Sequence, residues 1–221
     1  MRKSLLGLLG ILGLAGSSEA APPQQIDPAS ILYSTPTLSE NTGALESVAA
    51  VSHSDMAMHE DDWRQLEFYP SSRREEVRGL LRELSLFERQ HRKASGWDAV
   101  FIRKLAAGQV IPGTNALVQL SKELTLSAGA GPVLFYGSST VTGRVANGFS
   151  FRVSDGLALY GTSEKDGVVV LGAQVAGGDL ELTKVFAKLH QSHALILVDW
   201  RAQMMIEGVG QDGNLQVWKP Q

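Results

Sequence analysis

Three turn signals in the second half of the chain limit what it can fold into. Asn147-Gly148, Asp155-Gly156 and Asp166-Gly167 each place glycine after a residue that tolerates positive φ, the combination that tight hairpin turns require. The segments between them are apolar or β-branched, and residues 149–153 alternate apolar and polar side chains, as a half-buried strand does. Because consecutive hairpins run antiparallel, this region predicts an antiparallel sheet.

Other segments extend this sheet. Residues 133–136 and 140–145 are predicted strands, and a hairpin around Asp212-Gly213 joins 204–206 to 215–218. Residues 63–69 and 97–105 carry aromatic and apolar side chains suited to further strands. The continuous apolar run at 195–198 is typical of a central strand that is covered on both faces.

Helical periodicity is clear in two places. Residues 72–92 carry an apolar stripe, with Ser72 and Glu75 spaced as a capping box. A second stripe follows Asp179, and a weaker helix is predicted at 115–124. We therefore predict an α+β fold: a mostly antiparallel sheet of hairpins with two main helices packed on one face. The alternative is a β-sandwich or roll with appended helices.

Residues 1–20 have the features of a cleavable signal peptide. Arg2 and Lys3 precede an uncharged apolar stretch at 5–15, and Ser18 and Ala20 place small residues at the −3 and −1 positions of a cleavage site. The apolar stretch is shorter than the roughly 20 residues that a membrane-spanning helix needs. The sequence thus predicts export to the periplasm or the outside, with cleavage near Ala20.

The exported chain is expected to have two parts. Residues 21–58 are rich in Pro, Ser and Ala and lack sustained periodicity, which indicates a tail, spacer or strap over the domain surface. Residues 59–221 are predicted to form a single α+β domain. Loss of residues 1–20 would leave 18 basic and 22 acidic residues, a balance that gives no electrostatic reason to bind nucleic acid. No later window predicts a membrane span, and the absence of cysteine favours a bacterial envelope.

Histidines suggest one possible chemistry. His53 and His59 lie in an acidic segment, and His190 and His193 are three residues apart at the end of a predicted helix. Such pairs could chelate a divalent metal together with a carboxylate such as Asp199. The alternatives are a solvated acidic hinge for the first pair and helix C-terminal interactions for the second.

Other candidate functional residues lie within or beside predicted strands. Two of the carboxylates could act as an acid–base pair; the candidates are Glu67, Asp98, Asp199 and Glu207. Alternatively, these carboxylates form ion pairs with arginines such as Arg64, Arg103, Arg152 or Arg201. Trp63, Asp199, Trp200 and Arg201 are proposed as a binding surface. The Ser-rich turn at 137–140 lacks the pattern and the following helix of a serine nucleophile elbow.

These observations favour a binding protein over an enzyme. We expect a soluble protein of the cell envelope that acts on another protein, as an inhibitor, an immunity-type protein or an accessory factor. The alternative is a metal-assisted hydrolase, or a metal-binding accessory protein, that uses the two His pairs. No cofactor is predicted apart from that possible metal, and the oligomeric state is left open.

Overall fold

The fold is described by a computed structural model that covers residues 32–40, 43–178 and 180–221. The signal peptide predicted at 1–20 lies outside the described residues. The first part of the predicted tail, up to Ile31, lies outside them too.

The described residues form three α-helices and seventeen strands, several of them only two residues long. The helices are α1 Arg74–His91, α2 Ala116–Leu124 and α3 Leu180–His193. The strands before α2 are β1 Thr37–Ser39, β2 Leu45–Glu46, β3 Ala57–His59, β4 Leu66–Pro70, β5 Arg92–Lys93, β6 Gly96–Trp97, β7 Phe101–Arg103 and β8 Ile111–Pro112. Those after α2 are β9 Gly129–Ala130, β10 Val133–Tyr136, β11 Thr140–Val145, β12 Gly148–Ser154, β13 Leu157–Glu164, β14 Gly167–Val175, β15 Leu195–Asp199, β16 Met204–Val209 and β17 Leu215–Trp218.

A large antiparallel sheet organises the fold. Its strand order is β17-β16-β15-β4-β14-β13-β12-β9, and β8 also pairs with β14. The predicted hairpins β12–β13–β14 and β16–β17 form its two wings, while β4 lies between β14 and β15. The α+β fold predicted from the sequence is therefore confirmed.

The two long helices lie on opposite faces of this sheet, which corrects the expectation that both pack on one face. Successive residues of a strand point to opposite faces, so β4 and β15 supply a core to each helix. Phe68, Leu195 and Leu197 pack in the same cluster as the buried residues of α3, whereas Tyr69, Ile196 and Val198 pack with those of α1. The continuous apolar run of β15 reflects this double covering.

The described part of the segment 21–58 belongs to the same structural unit as the rest. That unit begins at Leu32, whereas the sequence placed the domain boundary at 59. β1 pairs in parallel with β7 and β3 in parallel with β10, whereas β2 pairs antiparallel with β11. Short strands of this kind carry too few residues to show a periodicity, and their pairing partners are distant in sequence.

Two local predictions also differ from the structure. Residues 60–62 form a 3₁₀ turn and Arg64 has φ 59°, so the strand predicted from Trp63 begins only at Leu66. Helix α1 begins after a 3₁₀ turn at Ser71–Arg73, and its N-cap makes no side-chain hydrogen bond, so the predicted capping box does not form. None of the helices described is both long and apolar enough to cross a bilayer.

Candidate functional site

In the first His pair, His59 makes structural contacts within its own turn and with Phe135. His53 is exposed in a turn, and His59 Nδ1 accepts a hydrogen bond from the backbone N–H of Asp61 at 3.1 Å. His59 also contacts the edge of the Phe135 ring, with ring centroids 5.5 Å apart. These contacts order the turn that leads from β3 toward β4.

The second His pair is occupied by structural contacts at the end of α3. The Nδ1 of His190 lies 2.8 Å from the carbonyl oxygen of Leu195, to which it donates, and the ring stacks on Phe186. His193 Nε2 lies 2.8 Å from the Glu123 carboxylate. Across the described residues, no three His, Asp or Glu side chains come together as a metal-binding group, so the joint site that the sequence left open for the two pairs does not form there.

The predicted Trp surface is also corrected, because both indole rings are inside the protein. Trp63 lies 5.0 Å from Tyr160 between ring centroids, and Trp200 meets Tyr69 edge-on at 6.1 Å. Both rings are almost fully buried. Apolar area of this size is most stabilising when it leaves water, which is why these rings fill the core.

Asp199 and Arg201, the other two residues of that predicted surface, do lie at a concave surface. Two adjoining clefts of about 330 and 290 Å³ share Leu66, Val175 and Asp199 as lining residues. We name these two clefts together the strand-end groove, because β4 begins and β14 and β15 end there. The pairing of Asp199 with both Leu66 and Met204 brings these ends to one side of the sheet.

One half of the strand-end groove is apolar. It lies between α3 and the strands β15, β16 and β17. The side chains that line it, besides the shared ones, are Leu182, Thr183, Phe186, Leu197, Met204, Ile206, Leu215 and Val217. Val217 is 50 % exposed, and β17 is the last strand of the sheet, so among the described residues its outer edge has no partner strand.

The other half of the groove is polar. Arg201 Nη1 forms an ion pair with Asp62 at 2.6 Å, and Arg201 Nη2 donates to the carbonyl oxygen of Asp61 at 3.1 Å. The carboxylate of Asp199 accepts a hydrogen bond from the backbone N–H of Ala202 at 2.8 Å, which fixes its position at the strand end. This half can therefore contact a polar or basic group.

A buried charged cluster lies on the other face of β4. Glu67 is 1 % exposed and accepts two hydrogen bonds from Arg64 on one oxygen, at 2.7 and 2.9 Å. Its second oxygen accepts from the Tyr69 hydroxyl at 2.5 Å. We name Arg64, Glu67, Tyr69 and Arg103 the Glu67 cluster.

Arg103 is the unusual member of the Glu67 cluster, because it is 1 % exposed and has no carboxylate partner among the described residues. It donates to the Thr37 hydroxyl at 3.0 Å and to the Arg64 carbonyl oxygen at 2.9 Å, and it lies 4.8 Å above the Trp200 ring. These contacts fasten β1 to the sheet. Its Nε has no hydrogen-bond partner in the described chain.

Burial is the largest single influence on the pKa values of Arg64, Tyr69 and Arg103 in this cluster, and on that of the nearby Tyr160. It raises the pKa of Tyr69 far above the usual tyrosine value, with the Glu67 charge adding to the effect, and it also raises that of Tyr160. Burial lowers the pKa of the Arg103 guanidinium to about 10, which leaves it charged at neutral pH. For Arg64, burial opposes the charged form, but attraction to Glu67 outweighs it and raises the pKa.

The sequence pointed to part of this cluster and not to its arrangement. Glu67 stood out as a carboxylate within a strand, and Arg64 and Arg103 as possible partners. The Arg64–Glu67 pair forms, but the role of Tyr69 and Thr37 depends on chain crossings that no local pattern records.

Comparison of the chain with models of protein families, with curated proteins and with solved structures found no match.

Proposed function

We propose that this chain is an exported binding protein of the cell envelope that holds an extended segment of another protein in the strand-end groove. One observation carries the proposal: the apolar half of the groove is lined by β17, whose outer edge has no partner strand among the residues that the structure describes. An inhibitory, immunity-type or accessory role would each use such a surface.

Strand addition explains how the groove and the edge work together. An extended segment that pairs with the outer edge of β17 gains backbone hydrogen bonds without any sequence requirement. Side chains alternate along such a segment, so every second one points to the face that carries Leu215 and Val217. Those side chains lie over the apolar half of the groove, which supplies the specificity.

The lining residues define the chemistry of the partner. The apolar half accepts aliphatic or aromatic side chains, and each methylene buried there contributes about 0.8 kcal/mol. Asp199 stands where the apolar half meets the polar half and favours a Lys or Arg in the partner. The preferred segment therefore combines alternating apolar residues with one basic residue.

Export is the part of this proposal that depends on the sequence alone. The charged, apolar and small-residue regions within 1–20 support it. Expression of the full chain in a bacterial host, followed by intact mass measurement of the periplasmic fraction, tests it. We expect a mature chain that begins at Ala21; recovery of the full-length mass in the cytoplasm alone would contradict export.

Selection of displayed random peptides against the protein tests the groove. We expect the selected peptides to share alternating apolar residues and a basic residue. Val217→Asp should weaken their binding at least tenfold, because it places a charge against the partner's apolar side chains. Val141→Asp is the matched control, since Val141 is also an exposed strand valine, at 40 % exposure, on another sheet. Equal binding by the two variants would overturn the proposal.

A further inference from the structure

The outer strand β17 has a second face, opposite the one that lines the strand-end groove. Leu215 packs with the cluster of α3, whereas Trp218 packs with the cluster of α1. Successive side chains of a strand point to opposite faces, so Gln216 shares the α1 side with Trp218. A segment that pairs with the outer edge of β17 therefore presents half of its side chains to this second face, away from the groove.

Two arginines of α1 reach this second face. Arg78 and Arg82 are four residues apart, which places them one above the other on the same side of the helix. The guanidinium carbon of each lies 5.4 Å from the centre of the Trp218 ring. Contact between a guanidinium and an indole is favourable in itself, so the ring holds both charges over the last strand of the sheet.

Only one of these two arginines is neutralised by carboxylates. Arg78 forms ion pairs with Glu75 at 2.6 Å and with Glu207 of β16 at 2.5 Å. Glu207 is also shared with Arg74, at 3.6 Å. None of the ion pairs found among the described residues involves Arg82. Arg82 is also exposed, so its guanidinium is accessible to a partner.

Contact with a ring does not use up the hydrogen-bond donors of an arginine. Guanidinium groups stack through their flat face, whereas their N–H groups point outward in the same plane and match the two oxygens of a carboxylate. Residues directly opposite each other on neighbouring strands have Cβ atoms about 4.5–5.5 Å apart. A partner residue opposite Trp218 therefore stands beside the ring that Arg82 contacts, and a carboxylate there can reach the guanidinium.

We propose that the segment that pairs with β17 carries a Glu or Asp whose carboxylate binds Arg82 on the Trp218 side of the sheet. This acidic preference rests on the function proposed above and extends it, because the acidic residue occupies a position between the apolar residues that enter the groove. Arg82 then also selects the register of the partner. A shift by one residue would turn the carboxylate toward Leu215 and Val217 and the apolar side chains toward Arg82.

Affinity measurements on selected peptides that Val217→Asp weakens test this preference. Glu and Gln are compared at each position between the apolar residues, and fluorescence polarisation gives the dissociation constants. At one of these positions we expect Glu to bind about threefold more tightly than Gln, the size of a solvent-exposed ion pair. The advantage should shrink as the salt concentration rises, because salt screens exposed charges.

Substitution of Arg82 separates this contact from a general effect of charge. Arg82→Gln should remove the advantage of Glu over Gln. Arg89→Gln is the matched control and should keep the advantage, since Arg89 is another exposed arginine of α1, about two turns further along, and belongs to none of the ion pairs of the described residues. Arg82→Glu should reverse the preference, so that Lys at the same position binds more tightly than Glu.

The outcomes distinguish this preference from the groove itself. Peptides that depend on Val217 but gain nothing from Glu at any intervening position would overturn the acidic preference and leave the groove proposal standing. An advantage of Glu that persists in Arg82→Gln would do the same. If no selected peptide is weakened by Val217→Asp, the proposed function fails, and the acidic preference fails with it.

Discussion

Leu66 and Glu67 are neighbours in β4, yet they serve two very different regions. Leu66 points to the face of α3 and lines the strand-end groove, whereas Glu67 points to the face of α1 and is surrounded by Arg64 and Tyr69. The groove keeps apolar side chains partly open to solvent, which costs the fold little. The Glu67 cluster keeps charges out of solvent, which is tolerable only while each member keeps its partners. We therefore expect substitutions in the cluster to change stability, and substitutions in the groove to change binding.

Removal of the central carboxylate should have the largest effect. Glu67→Ala leaves the buried Arg64 guanidinium and the Tyr69 hydroxyl without their acceptor, so we expect the free energy of unfolding to fall by about 3–5 kcal/mol. Urea unfolding of the mature chain measures it. A loss of less than about 1 kcal/mol would show that the cluster is hydrated, and the contrast between the two regions would fail.

Alkaline pH should destabilise the protein through the buried tyrosines. The pKa values of Tyr69 and Tyr160 are raised in the folded state, so their contribution is intact below about pH 10, the value of a free tyrosine, and is lost as the pH rises above it. We expect a loss of roughly 1 kcal/mol per pH unit for each tyrosine. The lowered pKa of Arg103 makes the free energy of unfolding rise with pH in the same range, but this single arginine opposes two tyrosines.

Urea unfolding of the native chain and of Tyr69→Phe between pH 8 and about pH 11 gives the free energy of unfolding of each as a function of pH. The variant should lose stability less steeply above pH 10, because only Tyr160 then contributes. Identical pH profiles would contradict the assignment of this dependence to Tyr69.

The contact that fastens β1 should have an intermediate effect. Thr37→Val keeps the shape of the side chain but removes the hydroxyl that accepts from Arg103 and donates to the Phe101 carbonyl. We expect a loss of about 1–3 kcal/mol, the cost of leaving buried polar groups unsatisfied. Hydrogen exchange at the backbone N–H of Glu40 and Phe101 should become faster, and unchanged exchange at both would contradict this role.

The smallest effect on stability is expected in the groove. Val217→Asp changes an exposed side chain on an edge strand, so the free energy of unfolding should change by less than about 0.5 kcal/mol, as for Val141→Asp. Thermal unfolding of both variants beside the native chain checks this. A much larger loss for Val217→Asp would mean that the groove belongs to the core and is not a binding surface.

The sequence predicted the regular part of the fold because that part depends on local signals. The turn residues Asn147-Gly148 and Asp155-Gly156 separate strands that the structure places where the alternation predicts them, and the stripe of α1 packs as its spacing indicates. Which face each helix covers depends on how β4 and β15 pair, and those strands are far apart in sequence. The short strands β1 to β3 form through distant partners and therefore leave no periodic pattern.

The candidate sites were less predictable for the same reason. Asp199 and Arg201 were recognised because charged residues follow an apolar strand there. Trp63 and Trp200 were wrongly assigned to the surface, because the sequence around a tryptophan looks the same whether its ring is buried or exposed. The groove is formed by the ends of β4, β14 and β15, by β16 and β17, and by α3, so it exists only after folding.

Chemical-shift mapping with a selected peptide tests the central claim most directly. The spectra of isotope-labelled protein should change at Leu215, Val217 and Leu182 on addition of the peptide, with new protection from hydrogen exchange along the outer edge of β17. Signals of Ala44 and Ala146, which line a separate cleft that also contains Arg64, Glu67 and Tyr69, should stay unchanged. Changes that centre on that cleft, or that persist in Val217→Asp, would contradict the account of the strand-end groove.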